Sequence, residues 1–188
     1  QLSAFARMGS GSASRSLFQG FAEWHKGSAD DGMDSFAEQL PMLWPGLRIG
    51  LLKVCTAEKK VDSRAGMQRT VESAKLYQSW PEQATTDLKT IRDAIQQQDF
   101  EILGMTAEQN ALSMHATMIA SWPPLLYWQP ESVEAMHRVW ELRNKGVQVY
   151  LTMDAGPNLK LLFLQADELA VRAHFPEFQD ADIVSPFG

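Results

Sequence analysis

The chain has 188 residues, 45% of them hydrophobic and 21% charged, a balance that supplies a sizeable core and gives no sign of disorder. Its formal net charge of −6 argues against nonspecific nucleic-acid binding and against an anionic membrane surface. No apolar run reaches transmembrane length, no signal-peptide pattern opens the chain, and the single cysteine, Cys55, cannot close an internal disulfide, so a reducing, cytoplasmic setting is expected.

Leu2 to Met8 reads as the end of a helix, and a first residue other than Met suggests that the chain begins inside a longer product or has been processed. A glycine-serine loop follows, and Ser12 to Phe18 is expected to form a short helix. Phe21 to His25 suits a strand, and Gly27 to Gly32 is a loop. Two prolines and a glycine at Pro41 to Gly46 suggest a domain boundary, and Leu47 to Cys55 is a buried strand with Cys55 as a small hydrophobe. Ala84, Leu88, Ile91 and Ile95 recur on one helix face behind Pro81, which suits a first helical turn. Phe100, Leu103, Ala107, Ala111, Met114 and Met118 mark a second helix, antiparallel to the first, that Trp122-Pro123-Pro124 ends. Pro130 opens another, with Val133, Met136 and Trp140 inward and Gly146 as its cap. Val147, Val149, Leu151 and Met153 alternate with polar neighbours as a strand should. Gly156-Pro157-Asn158 is a turn, Leu159 to Leu164 the next strand, Asp167 to Phe175 a helix and Asp182 to Val184 a last short strand. Antiparallel strands with helices grouped between them give an α+β architecture.

Three segments carry chemistry. In Ser10 to Ser16 the glycines allow close backbone approach, Ser10 and Ser12 add hydroxyl donors, and Arg15 stands where a guanidinium can clamp a carboxylate or phosphate. The same residues also read as a serine-capped helix with a solvated arginine. In the second segment Ser63 can cap a helix while Lys59, Lys60 and Arg64 supply positive charge, either for a phosphate or as a solvated basic run. In the third, Asp154 ends a strand as a base in a cleft or as a turn residue paired with Asn158. His25, His115, His137 and His174 show no metal-ligand spacing, and His115, beside an apolar stripe, reads as a satisfied core histidine. No phosphate loop of the Gly-x-x-x-x-Gly-Lys-Ser/Thr type and no serine nucleophile elbow is present.

Ser10-Gly11-Ser12-Ala13-Ser14-Arg15-Ser16-Leu17-Phe18, Ser63-Arg64-Ala65-Gly66-Met67, Met114-His115-Ala116-Thr117 and Asp154-Ala155-Gly156-Pro157-Asn158, in this order, resemble the mevalonate diphosphate decarboxylase family. That family belongs with galactokinase, homoserine kinase, mevalonate kinase and phosphomevalonate kinase. The resemblance implies a ferredoxin-like C-terminal α+β domain over 46–188, with 1–45 as the end of an N-terminal domain. It implies ATP- and Mg²⁺-dependent phosphorylation of the 3-hydroxyl of mevalonate 5-diphosphate, followed by loss of phosphate and CO₂ to give isopentenyl diphosphate. Asp154 would be the catalytic carboxylate, Arg15 would hold the C1 carboxylate, Ser10 and Ser12 would contact substrate, and Ser63 with Arg64 would bind its diphosphate. A homodimer is implied as well.

This sequence departs from the family at Gln19, where a glycine is usual, and at Pro81. The family's ATP-phosphate loop, Pro-x-x-x-Gly-Leu-x-Ser-Ser-Ala, is not in the chain, so the isolated chain is expected to be inactive. Two alternatives stand beside this reading: a mevalonate or phosphomevalonate kinase of the same superfamily, and a non-catalytic binding or dimerisation module.

Overall fold

The computed structural model describes residues 1–55 and 61–187, so the expected contribution of Lys59 and Lys60 lies outside the described residues. Two compact units result: Gln1–Pro45 together with the C-terminal residues from Ser185, and Gly46–Val184.

In the first unit, helix α1 (Leu2–Gly9) leads into a 3₁₀ turn at Gly11–Ser14. The helix expected over Ser12 to Phe18 is thus shorter and tighter, because glycine and serine favour turns over helix interiors. Strand β1 (Ala22–Trp24) pairs antiparallel with β2 (Ala37–Gln39), with Ala22 opposite Gln39 and Trp24 opposite Ala37. β2 carries no clear alternation, and its strand state comes from its partner.

The second unit is built on a four-stranded antiparallel sheet. Its strands are β3 (Leu47–Leu52), β4 (Val149–Thr152), β5 (Leu159–Leu164) and β6 (Ile183–Val184), in the spatial order β4-β5-β3-β6. This is the split β-α-β arrangement of ferredoxin-like folds, with β5 inserted between two parallel strands. The first crossover is expanded and holds α2 (Ser63–Ser73), α3 (Trp80–Gln97), α4 (Phe100–Ile119) and α5 (Pro130–Asn144). The second holds α6 (Glu168–His174). Cys55 lies beyond the end of β3 and is half-buried.

Alternation in β4 and β5 sends Val149, Leu151, Leu159, Leu161 and Phe163 to one face, where they meet Ala135, Met136, Val139 and Leu142 of α5 and Val171 of α6, with Phe175 just beyond it. α5 turns Ala135, Val139 and Leu142 inward and leaves Val133 40% exposed, so its buried stripe is rotated from the expected one. In α3, likewise, Leu88 is exposed while Asp87 is buried. The Asp87 carboxylate accepts from Asn110 Nδ2 of α4 at 2.8 Å and from Gln83 Nε2 at 2.6 Å, and this polar contact fixes the roll of α3 on α4.

The edge strand β4 is closed by side chains. Glu108 of α4 accepts from Trp140 Nε1 at 2.9 Å, from the Arg143 guanidinium at 2.8 and 2.9 Å, and from the backbone N–H of Leu151 at 3.0 Å. Arg143 also donates to the Val149 carbonyl at 3.1 Å and lies over the Tyr150 ring. Two outward-facing backbone groups of the edge are thereby satisfied within the chain.

Candidate functional site

The glycine-serine turn of the first unit is set by its neighbours. Ser10 is extended, with φ −153° and ψ 132°, and its hydroxyl lies 3.1 Å from that of Ser12. Ser14 is fully buried, and its hydroxyl donates to the Gly11 carbonyl at 2.7 Å. The Ser14 carbonyl accepts from the Ser3 hydroxyl at 3.0 Å, whose oxygen in turn accepts the Ala37 N–H at 2.7 Å. One relay thus ties α1, the turn and β2 together. Gly11 is required here, because a Cβ would fall 2.9 Å from the Trp24 ring. Arg15 is exposed, with its guanidinium carbon 5.8 Å from the centre of the Trp24 ring, and no carboxylate pairs with it among the described residues. The turn therefore presents two hydroxyls and an arginine whose guanidinium lies over an aromatic face, a set suited to an anion.

In the second unit the expected segments take definite places. The α2 cap is Asp62 and not Ser63: the Asp62 carboxylate accepts from Arg64 N at 2.9 Å and Ala65 N at 3.0 Å. Aspartate outcompetes the neighbouring serine because its charge also complements the positive end of the helix. The Arg64 and Ala65 N–H groups are thus already occupied by Asp62 and are not open to an anion. Gly66, one turn in, is pressed against the Tyr127 hydroxyl where any Cβ would sit.

Asp154 stands at the corner between β4 and β5, with its side chain 78% exposed. Its carboxylate Oδ2 accepts from Lys160 Nζ, while Oδ1 has no protein partner among the described residues. The turn behind it is held at several points. The Asp154 carbonyl accepts from His115 Nε2 at 2.9 Å and from Gly156 N at 2.8 Å. The Pro157 carbonyl accepts from the Ser132 hydroxyl at 2.8 Å. Asn158 Oδ1 accepts from Val54 N and Cys55 N at 2.9 and 3.0 Å, so Asn158 joins the turn to the end of β3 and does not close an Asx turn on Asp154. Leu51, Lys53, Asp154, Asn158 and Lys160 line a cleft of about 270 Å³.

His115 is a core histidine, only 1% exposed, but its ring bonds a candidate catalytic residue, and composition gave no sign of that. A carbonyl can only accept, so Nε2 carries the proton. Burial pushes the His115 pKa below its ordinary value, against the opposing pull of the Asp154 carbonyl and charge, and the ring is neutral. It stacks on Trp128 at 5.3 Å and meets the edge of Tyr127 at 6.4 Å. Lys160 was also missed. Its signal lay in the hairpin itself: Thr152 opposes Lys160, so Asp154 and Lys160 flank one turn.

A larger cleft of about 640 Å³ lies beside the β4 edge, around Glu101, Glu108, Gln109 and Arg143. Its buried Glu108 and half-buried Arg143 are spent on each other and on the backbone. A magnesium–nucleotide complex needs oxygen ligands for the metal and a phosphate cradle. Among the described residues no three His, Cys, Asp or Glu side chains gather to hold a metal ion. The described residues offer hydroxyls and cationic side chains suited to an anion, and no three-residue metal cluster beside them. No described helix is long and apolar enough to cross a membrane.

Together these features define a class: a ferredoxin-like α+β domain with a cornered carboxylate on the sheet, preceded by a unit carrying an arginine-bearing glycine-serine turn. Residues 51–182 match the family described as the mevalonate 5-diphosphate decarboxylase C-terminal domain, and residues 1–37 match a diphosphomevalonate decarboxylase-like N-terminal domain. The chain belongs to the mevalonate 5-diphosphate decarboxylase family. It is 36% identical over 177 residues to the diphosphomevalonate decarboxylase of Aspergillus fumigatus, covering 91% of this chain and 44% of that protein. It is 35% identical to the rat enzyme over 192 residues, covering 96% of this chain and 47% of that protein. The chain thus spans about half the length of these curated relatives. Among solved structures, MDDEF in complex with MVAPP, AMPPCP and magnesium superposes with a TM-score of 0.90 at 42% identity, over 97% of this chain and 56% of that one. The Staphylococcus aureus mevalonate diphosphate decarboxylase gives 0.88 at 39% identity, again over 97% and 56%.

Proposed function

We propose that this chain is the C-terminal part of a diphosphomevalonate decarboxylase, which converts mevalonate 5-diphosphate and ATP to isopentenyl diphosphate, ADP, phosphate and CO₂. Residues 1–45 form the end of its N-terminal domain and 46–188 its C-terminal domain. The observation that carries the reading is the Asp154 corner. A carboxylate with one oxygen held by Lys160 and the other open, on a turn anchored from behind, is poised to orient and accept the proton of a substrate hydroxyl.

Arg15 grips the C1 carboxylate and orients it for departure as CO₂, with the Ser10 and Ser12 hydroxyls beside it. The Ser63 hydroxyl and the Arg64 guanidinium hold the diphosphate, since the Arg64 and Ala65 N–H groups already serve Asp62. ATP and Mg²⁺ supply the transferred phosphoryl group and its charge neutralisation, and residues outside this chain hold them. The enzyme works in the cytoplasm as a homodimer.

The test is a paired assay of ADP and CO₂ release by the full-length enzyme on mevalonate 5-diphosphate. Equal release of both supports the reading. ADP without CO₂ would make the protein a kinase, and neither product would make it a binding module.

A further inference from the structure

We infer that His115 and Tyr127 are positioning residues that join the diphosphate-binding end of α2 to the catalytic carboxylate. The inference rests on the reading of Asp154, Ser63 and Arg64 given above. Tyr127 is 92% buried (8% exposed), and its hydroxyl donates to the Val61 carbonyl at 3.3 Å, just before the Asp62 cap. The same ring meets His115 edge-on, and His115 donates Nε2–H to the Asp154 carbonyl at 2.9 Å. Met118, Leu125 and Ala155 pack around Tyr127, with Val61 and Met114 at the margin. Gly66 lets the first turn of α2 close on the Tyr127 hydroxyl, which occupies the place a Cβ would take.

The diphosphate grip and the carboxylate that faces the 3-hydroxyl are thus braced by one aromatic block. Ser63 and Arg64 ride on the helix that Tyr127 braces, and Asp154 rides on the turn that His115 braces. The block sets the span between the anion grip and the oxygen that receives the hydroxyl proton. Both bracing groups are donors in their resting states. Burial raises the Tyr127 pKa, with the Asp62 charge acting in the same direction and Arg69 opposing, and keeps its hydroxyl protonated. The His115 ring donates through Nε2 while Nδ1 has no proton to give.

Variants of the full-length enzyme test this. His115→Gln keeps a donor that reaches the Asp154 carbonyl, and His115→Asn keeps the amide but falls short of it. The expected result is a kcat for His115→Gln within about threefold of wild type. His115→Asn should lose on the order of tenfold to a hundredfold in kcat with KM little changed. Tyr127→Phe, which removes only the hydroxyl, should raise KM for mevalonate 5-diphosphate about threefold or more while kcat is largely kept. Thermal melting verifies that each variant is folded. Folded Gln and Asn variants with the same kcat would overturn the role of His115, and an unchanged KM in Tyr127→Phe would overturn that of Tyr127. Asp154→Asn is run alongside. If it is inactive while the block variants behave as wild type, this inference fails and the assignment of Asp154 stands; if it turns over normally, the underlying reading has failed.

Discussion

Asp154, His115 and Arg15 each make a separate demand on experiment. Asp154→Asn removes a charge and the salt link to Lys160 but keeps the shape, and its side chain is largely exposed, so the fold should survive. In the full-length enzyme kcat should fall on the order of 10²–10⁴-fold, as for loss of a general base, with substrate binding by calorimetry much less affected. A kcat within about threefold of wild type would make Asp154 a turn residue. Arg15→Ala should weaken kcat/KM by about 1.5–3 kcal/mol through loss of a charge-assisted bond to a carboxylate. Steady-state kinetics within twofold of wild type would refute that assignment. His115 makes a prediction about stability. Its pKa in the folded chain lies below the unfolded value of about 6.5, so the unfolded chain takes up a proton first as pH falls. The stabilisation from keeping this ring neutral is complete above about pH 6.5 and declines below it, with a slope of at most about 1.4 kcal/mol per pH unit, until the folded pKa is reached. Urea midpoints at about pH 7.5 and about pH 5.5 should therefore diverge more for wild type than for His115→Gln.

At the scale of elements, the Glu108–Arg143 pair invites the clearest test. Glu108→Ala leaves a half-buried guanidinium without its carboxylate and uncovers the Leu151 N–H, and it should cost about 3 kcal/mol. Denaturant melts check the loss, and light scattering checks for self-association through the opened edge of β4. The element types and most of their bounds were legible in the sequence. A nearly continuous apolar run marked β3, the Gly156-Pro157-Asn158 turn marked the start of β5, proline marked the start of α5, and the Trp122-Pro123-Pro124 stop lies just past the end of α4. Orientation was less legible. The buried position of Asp87 in place of Leu88 is set by Asn110 on another helix, and no periodicity within α3 contains that partner. Tyr150, on the supposedly polar face of β4, is buried because Gly104 leaves room for its ring.

For the molecule as a whole, the candidate site was legible where local chemistry suffices and illegible where tertiary contact decides. The glycine-serine turn and the Asp154 turn announce themselves by composition. The choice of Asp62 over Ser63 as helix cap is a competition between neighbours that spacing alone leaves open. The bond from His115 to Asp154 spans 39 positions and exists only because α4 passes behind the turn. Isolated and purified, the chain should show no ATP-dependent CO₂ release, because positioning and charge neutralisation of the phosphates supply most of phosphoryl-transfer catalysis. Robust release from the chain alone would contradict the proposal that the nucleotide is held elsewhere.

The expanded first crossover has a consequence for how the protein is made. β3 pairs with β5, Leu52 opposite Leu159 and Leu47 opposite Leu164, so an early strand needs a partner translated about a hundred residues later. At roughly 5–20 residues per second, β3 leaves the ribosome some 5–20 s before β5 exists. During that interval α2 to α5 can form from local contacts, while Leu47, Ile49, Leu51 and Leu52 stand as an apolar strand with both edges open. Nascent chains stalled before Leu159 should therefore be the ones that chaperones hold and that aggregate when chaperones are scarce, and chains stalled well past Leu164 should not.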